Sequence, residues 1–288
     1  MDYCYLIGGV GFEFSIKKDI IEYSPYDVFH VDRSAFTVDE RHHFNFLKDK
    51  YVLPPECRLI SSTDSVDIYE TDDEYIHVNK RFDEMDYNCY VVSPKGIPGG
   101  TFYYSTGDFS KLKVTTDFFR CCDFISSLLF YNGMILHCSY IIYNGKAILF
   151  SAPSEGGKST QAALWEKYQG AEIINGDRAV IKKENDGWYV HSLPFCGSSR
   201  ICKNKSAKLD TIAFVNKSDK NSVEKLSNAQ KLSLIIPQLS FESKKQADFN
   251  KVFGLVEDLI STQKIVKLNC RIDEEATQVL RKEVSADE

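Results

Sequence analysis

The segment Ser151-Ala152-Pro153-Ser154-Glu155-Gly156-Gly157-Lys158-Ser159-Thr160 sets two adjacent glycines beside a lysine and a run of hydroxyls. That combination suits a polyphosphate. Glycines let backbone N–H groups turn inward around phosphate oxygens, a following helix N-terminus adds about half a positive charge, a lysine bridges the terminal phosphates, and a serine hydroxyl ligates Mg²⁺. On this reading Ser154, Gly156, Gly157, Lys158, Ser159 and Thr160 contact the nucleotide, with Ser159 on the metal. The strict pattern G-x-x-x-x-G-K-[ST] wants glycine where this chain has Ala152, and Glu155 puts a carboxylate into the loop. A plain glycine turn capping a helix is the alternative.

A second group follows at a telling distance. Gly170 and the apolar run Ala171-Glu172-Ile173-Ile174-Asn175 lead into Gly176-Asp177-Arg178. A helix of about ten residues spans roughly 15 Å, and the strand behind it returns the chain to the sheet edge where the loop lies. Asp177 is thereby expected beside Lys158 and Ser159, where a carboxylate can hold Mg²⁺ or accept the proton of an attacking hydroxyl. Asn-Gly-Asp as a plain turn is the competing reading.

The elements that must position these residues read from the pattern. Met134–Ile142 is expected as a strand, Tyr143-Asn144-Gly145-Lys146 as a two-residue hairpin turn and Ala147–Phe150 as a buried strand. A helix from Ser159 to Tyr168 follows the loop. Ahead of them, apolar spacing over Thr116–Tyr131 predicts a helix ending at Asn132-Gly133. Residues 1–115 read as short strands, among them Tyr3–Ile16 around Gly8-Gly9, Tyr51-Val52-Leu53, Val66–Tyr69 and Cys89–Val92. Glu70–Glu74 reads as a solvated hairpin tip, and Trp165 as core. Helices at 228–236 and 248–260 close the second half, and Lys203–Lys205 and Lys244-Lys245 read as solvated faces. The expected division is a β-rich region 1–115 and a nucleotide-binding domain 116–288.

Composition narrows the partners. Residues 1–125 carry 13 Lys and Arg against 22 Asp and Glu, while residues 126–288 carry 22 against 19. An acidic first half argues against nucleic acid, and the slight positive balance of the second suits one anionic ligand. No run approaches the roughly 18 apolar residues of a membrane helix, and no basic-then-apolar leader opens the chain, so a cytoplasmic protein with no membrane partner is expected. Nine cysteines without a C-x-x-C pair suggest free thiols and no structural metal. A homo-oligomer is compatible with the sequence, which fixes no oligomeric state.

The residues Leu136-His137-Cys138, Asn144-Gly145, Ala152–Ser159, Gly170-Ala171, Ile174–Arg178 and Leu193–Ser199 resemble the HPr kinase/phosphorylase family. More closely, the chain is similar to HPr-kinase-related proteins found beside peptide-modification genes, some of which phosphorylate serine in a precursor peptide. The resemblance spans about residues 130–285. It implies an α/β fold with a phosphoenolpyruvate-carboxykinase-like P-loop kinase core behind a β-rich N-terminal region, ATP with Mg²⁺, and transfer to a serine or threonine hydroxyl of a peptide or protein. Lys158 and Ser159 match the family's phosphate-loop pair, and His137 its strand histidine. Asp177 matches the second of two successive aspartates, with Gly176 in place of the first, the expected general base. The resemblance therefore leaves Asp177 or His137 as proton acceptor. Arg178 or Arg200, with Arg200 preferred, would offset phosphoryl charge. Alternatives are a kinase for a small hydroxylated metabolite and a non-catalytic ATP-binding protein.

Overall fold

Aromatic side chains at every second position give the first half of the chain one dry sheet face. The computed structural model describes residues 2–16, 26–49, 51–64, 66–80, 88–105, 124–241 and 246–284. Contacts divide the chain into two compact units, residues 1–6 with 10–130 and residues 7–9 with 131–288. In the first lie β1 (Asp2–Ile7), β2 (Val10–Ser15), β3 (Glu40–Leu47), β4 (Arg58–Ser62), β5 (Val66–Glu70), β6 (Glu74–Asn79), β7 (Asn88–Pro94) and β8 (Gly100–Ser105). Their order in the sheet is β1-β2-β3-β8-β7-β6-β5-β4. β2, β3 and β8 pair in parallel, and β8 back to β4 is an antiparallel meander. Phe12, Phe14, Phe44 and Phe102 are buried there, the rings of Phe44 and Phe102 stacking at 4.4 Å.

Tyr51-Val52-Leu53 is not a strand, against expectation. The two prolines that follow, Pro54 and Pro55, cannot donate to a ladder, and Val52 lies exposed. Glu70 and Glu74 flank the β5–β6 turn, and Glu70 pairs with Arg58 and Lys95. Of the helix expected over 116–131, residues 116–123 lie outside the described residues, as do the expected boundary at 115 and 116 and the pair Lys244-Lys245. Helix α1 (Phe124–Phe130) covers the remainder.

The second unit is mixed α/β. Its strands are β9 (Gly133–Tyr143), β10 (Lys146–Ser151), β11 (Glu172–Asn175), β12 (Arg178–Glu184), β13 (Gly187–His191), β14 (Ser206–Lys217), β15 (Ser222–Lys225) and β16 (Lys264–Cys270). The sheet order is β10-β9-β12-β13-β14-β16-β15, with β11 on β9 and a further parallel pairing of β10 with β14. Strands β10, β14 and β16 therefore run side by side in one direction. Helices α2 (Lys158–Gln169), α3 (Asn228–Ile235), α4 (Gln246–Thr262) and α5 (Glu274–Val284) complete the unit. Trp165 of α2 is fully buried among core residues that include Phe150, Ala213, Leu268 and Leu280, its ring edge-on to Tyr143. Among the described residues no helix is long and apolar enough to cross a membrane. Cys4, Cys57, Cys89, Cys138, Cys196, Cys202 and Cys270 are free thiols.

Candidate functional site

Strand β9 fixes the geometry because its middle is shared. Along one edge Cys138 pairs with Ser151, the last residue of β10. Along the other, β11 and β12 follow each other antiparallel to β9, interrupted at Gly176-Asp177, and the Cys138 N–H donates to the Asp177 carbonyl at 3.0 Å. The loop that leaves β10 and the carboxylate between β11 and β12 thus flank the same residue. This register brings Lys158 and Asp177 together, as the return of the chain after one helix predicts.

The loop itself is tightly wound. The Gly156 N–H donates to the Pro153 carbonyl at 3.0 Å, closing a turn in which Ser154 and Glu155 are exposed and Glu155 has φ 61. A side chain on Gly156 would lie 2.5 Å from the Ala152 Cβ, so the loop closes only without one. Gly157, at φ 99, starts α2 with no side-chain cap. The N–H groups of the first turn, at Lys158, Ser159 and Thr160, therefore face outward unpaired by any cap, with the helix dipole behind them. Ser159 is exposed and Thr160 half-buried.

Lys158 is buried and folds back on the loop, donating to the carbonyls of Ala152 at 3.0 Å and Pro153 at 3.2 Å. Burial lowers its pKa, and the charge of Asp177 opposes that shift. Around Asp177, His137 Nε2 lies 3.5 Å from Oδ1, and Arg178 Nε lies 3.1 Å from Oδ2, off the line of a hydrogen bond. Burial and then Lys158 drive the His137 pKa down, while Asp177 and a hydrogen bond with Gln238 act the other way. His137 is thus biased to its neutral, proton-accepting form. The Ser240 N–H donates to the Ile135 carbonyl and ties the Gln238 segment to β9 beside it. Arg200, at φ 54, is exposed on the turn Gly197–Ser199, whose backbone meets Asp177. It has no ion-pair partner among the described residues, and its charge acts on the Cys196 thiol.

The hub behind Asp177 is not legible in the sequence. Asn175 is fully buried, and its Oδ1 accepts the N–H groups of Asp177 at 3.0 Å and Arg178 at 3.1 Å. Its Nδ2 donates to the Leu193 carbonyl at 2.9 Å, binding the turn of β11–β12 to the stem of the 196–200 turn. Residue type alone reads as a turn former. A cleft of about 250 Å³ against the loop is likewise not legible in the sequence. It is lined by the loop and by Val215, Lys217, Cys270, Arg271 and Ile272 at the ends of β14 and β16. The carboxyl ends of parallel strands are where α/β sheets bind ligands, the one signal that could have pointed there. Arg271 pairs with Asp273 at 2.8 Å and Glu275 at 2.7 Å, and Ile272 is largely exposed beside it.

A cationic, desolvated amine beside uncapped helix N–H groups fits a phosphate chain. The same residues offer Ser159 and Asp177 as oxygen donors. Among the described residues no three His, Cys, Asp or Glu side chains converge into a protein-only metal cage.

The family described as SynChlorMet cassette protein ScmC matches residues 118–282. Among solved structures, the HPr(Ser) kinase/phosphatase from Coxiella burnetii aligns at 11% identity and a TM-score of 0.29, covering 51% of this chain and 94% of that one. No curated protein matches the sequence.

Proposed function

The chain belongs to the SynChlorMet cassette protein ScmC family, and from the geometry of its loop and of Asp177 we propose that it is a kinase that transfers the γ-phosphate of ATP to a hydroxyl, a serine or threonine of a peptide or protein. The fold proposed for the second unit is a phosphoenolpyruvate-carboxykinase-like P-loop core. One observation carries the reading. Lys158 is buried at an uncapped helix N-terminus, with no carboxylate in hydrogen-bond contact among the described residues and with the charge of Asp177 opposing the fall in pKa that burial causes.

In this mechanism the N–H groups of residues 157–160 and the Lys158 ammonium hold the β and γ phosphates, releasing the loop carbonyls that Lys158 now contacts. Ser159 and Asp177 would hold Mg²⁺, which supplies charge neutralisation of the phosphates. Asp177 or the neutral imidazole of His137 accepts the hydroxyl proton, and Arg178 or Arg200 offsets charge on the transferring group. The cleft on the β14–β16 side takes the nucleoside, with Ile272 and Val215 as apolar walls. Positioning and preorganised charge carry most of the rate.

The test is incubation with ATP, Mg²⁺ and a peptide fraction, followed by ADP release and mass spectrometry of the peptides. Peptide phosphate on serine or threonine is expected. ADP release driven only by small hydroxylated metabolites would move the acceptor to that class. Tight ATP binding with no turnover on any hydroxyl would make the protein a nucleotide-dependent binder.

A further inference from the structure

Position 176 lacks a side chain, and the space that chain would fill is taken. A Cβ built on Gly176 would collide with the Ser199 Oγ and lie 2.5 Å from the Ser199 Cβ. The fit is reciprocal, because a Cβ on Gly197 would lie 2.9 Å from the Asp177 Cγ and 3.0 Å from its Oδ1. Real Cβ contacts do not approach so closely, so the two glycines are what allow the Cys196–Arg200 turn to seat on the β11–β12 junction. Ser199 also holds the turn together. Its Oγ donates to the Cys196 carbonyl at 2.7 Å and accepts the Ile201 N–H at 3.2 Å. The stem is anchored independently, with the Lys203 N–H on the Ile174 carbonyl at 3.0 Å and Asn175 on the Leu193 carbonyl.

We propose that Ser199 stands in for the side chain that position 176 lacks, as a positioning residue that seats the Cys196–Arg200 turn against Asp177 and so builds the wall of the site on the acceptor side. The inference concerns the same site as the kinase reading and rests on it for the word acceptor; the seating itself does not. Any side chain at position 176 and a seated Ser199 exclude each other, and Asp177 is covered on one side by the Gly197 backbone and flanked on the other by His137 and Arg178.

The turn contains its own reporter. Cys196 is half-buried, and its thiol pKa is raised first by that burial and also by the charge of Asp177. Iodoacetamide labelling of the nucleotide-free chain, read at Cys196 by peptide mass spectrometry, therefore follows the seating. Gly176→Ala is expected to speed labelling of Cys196 about tenfold, because the added methyl unseats the turn and exposes the thiol. Ser199→Gly in that background is expected to return the rate to within about twofold of wild type, since the pair couples through shared space. Labelling of Gly176→Ala at the wild-type rate, or a double variant as fast as the single one, overturns the proposal.

If Gly176→Ala does not fold, Ser199→Ala decides: it keeps the Cβ and removes both Oγ hydrogen bonds, and faster labelling supports the seating whereas an unchanged rate contradicts it. With ATP and Mg²⁺, Gly176→Ala is expected to bind nucleotide with a Kd within about twofold of wild type while turnover falls about tenfold, as a misplaced but intact group does. Equal losses of binding and turnover would reduce Ser199 to a structural role. If the labelling cycle holds but wild type binds no ATP, the kinase reading falls and the seating stands.

Discussion

Each of the two units sets a histidine against a carboxylate, and the pairs differ in everything but chemistry. In the first unit His42 Nε2 meets Glu40 Oε1 at 2.7 Å, with the side chains 2% and 1% exposed. The His42 ring lies 5.0 Å from that of Phe14 and 5.4 Å from that of Phe102, and Ser127 donates to Glu40 at 2.9 Å. In the second unit His137 and Asp177 stand 3.5 Å apart, 32% and 25% exposed, with Lys158 acting on the imidazole. A histidine–carboxylate pair is therefore not a site by itself. The first pair is sealed by aromatic rings and serves packing, whereas the second is loose, reachable and surrounded by cations, which is the condition for handling a phosphoryl group.

That contrast can be broken by mutation, and the largest effect belongs to the open pair. Asp177→Asn is expected to lower turnover with ATP and Mg²⁺ by about 10²- to 10⁴-fold while the melting temperature stays near that of wild type. Full activity in that variant would remove Asp177 from the mechanism. For the sealed pair the effect moves to stability. His42→Ala should cost about 3–5 kcal/mol in denaturant unfolding, because it leaves the Glu40 carboxylate buried with Ser127 as its remaining donor among the described residues. A loss below about 1 kcal/mol would mean that the pair is not holding the core.

A third pair sharpens the comparison through pH. His191 contacts Glu184 at 3.0 Å and Ser206 at 2.7 Å, and burial drives its pKa from 6.5 down to about 4, against the opposing charge of Glu184. The unfolded chain takes up this proton below pH 6.5 while the folded ring stays neutral to about pH 4. The contribution is therefore complete above pH 6.5 and declines, by up to about 3 kcal/mol, as the pH falls toward 4. His191→Gln should flatten the fall in unfolding free energy over that window, and an unchanged slope would contradict the assignment. The smallest effect is expected at His137→Gln, within about 0.5 kcal/mol of wild-type stability, since the ring is partly exposed and its carboxylate keeps Arg178. A loss comparable to that of His42→Ala would erase the distinction between the pairs.

The loop was legible because its physics is local. Gly156-Gly157-Lys158-Ser159 between an apolar strand and a helix leaves few other folds, and the hairpin at Asn144-Gly145 fixes which strand edge the loop leaves from. Asp177 was legible through one step of chain geometry. Lys217, Arg271 and Ile272 were not, because they arrive from two later strands that share nothing with the loop in sequence and meet it only through the parallel β10–β14–β16 order. The same holds for Ser199 against Gly176, a fit of shape between segments that local pattern cannot express. In the first unit, alternation located β5 and β7 but misread Tyr51-Val52-Leu53, where β-branched and aromatic residues precede two prolines. Residue propensity lost there to the missing N–H donors.

The central claim is that Lys158 and the uncapped start of α2 bind a triphosphate. Thermal unfolding of wild type and Lys158→Ala with ATP and Mg²⁺ at about 100 times the wild-type Kd tests it directly. Wild type should gain about 2.7 kcal/mol of stability from the ligand and the variant close to none. Equal stabilisation of the two proteins, or none in wild type, would contradict it.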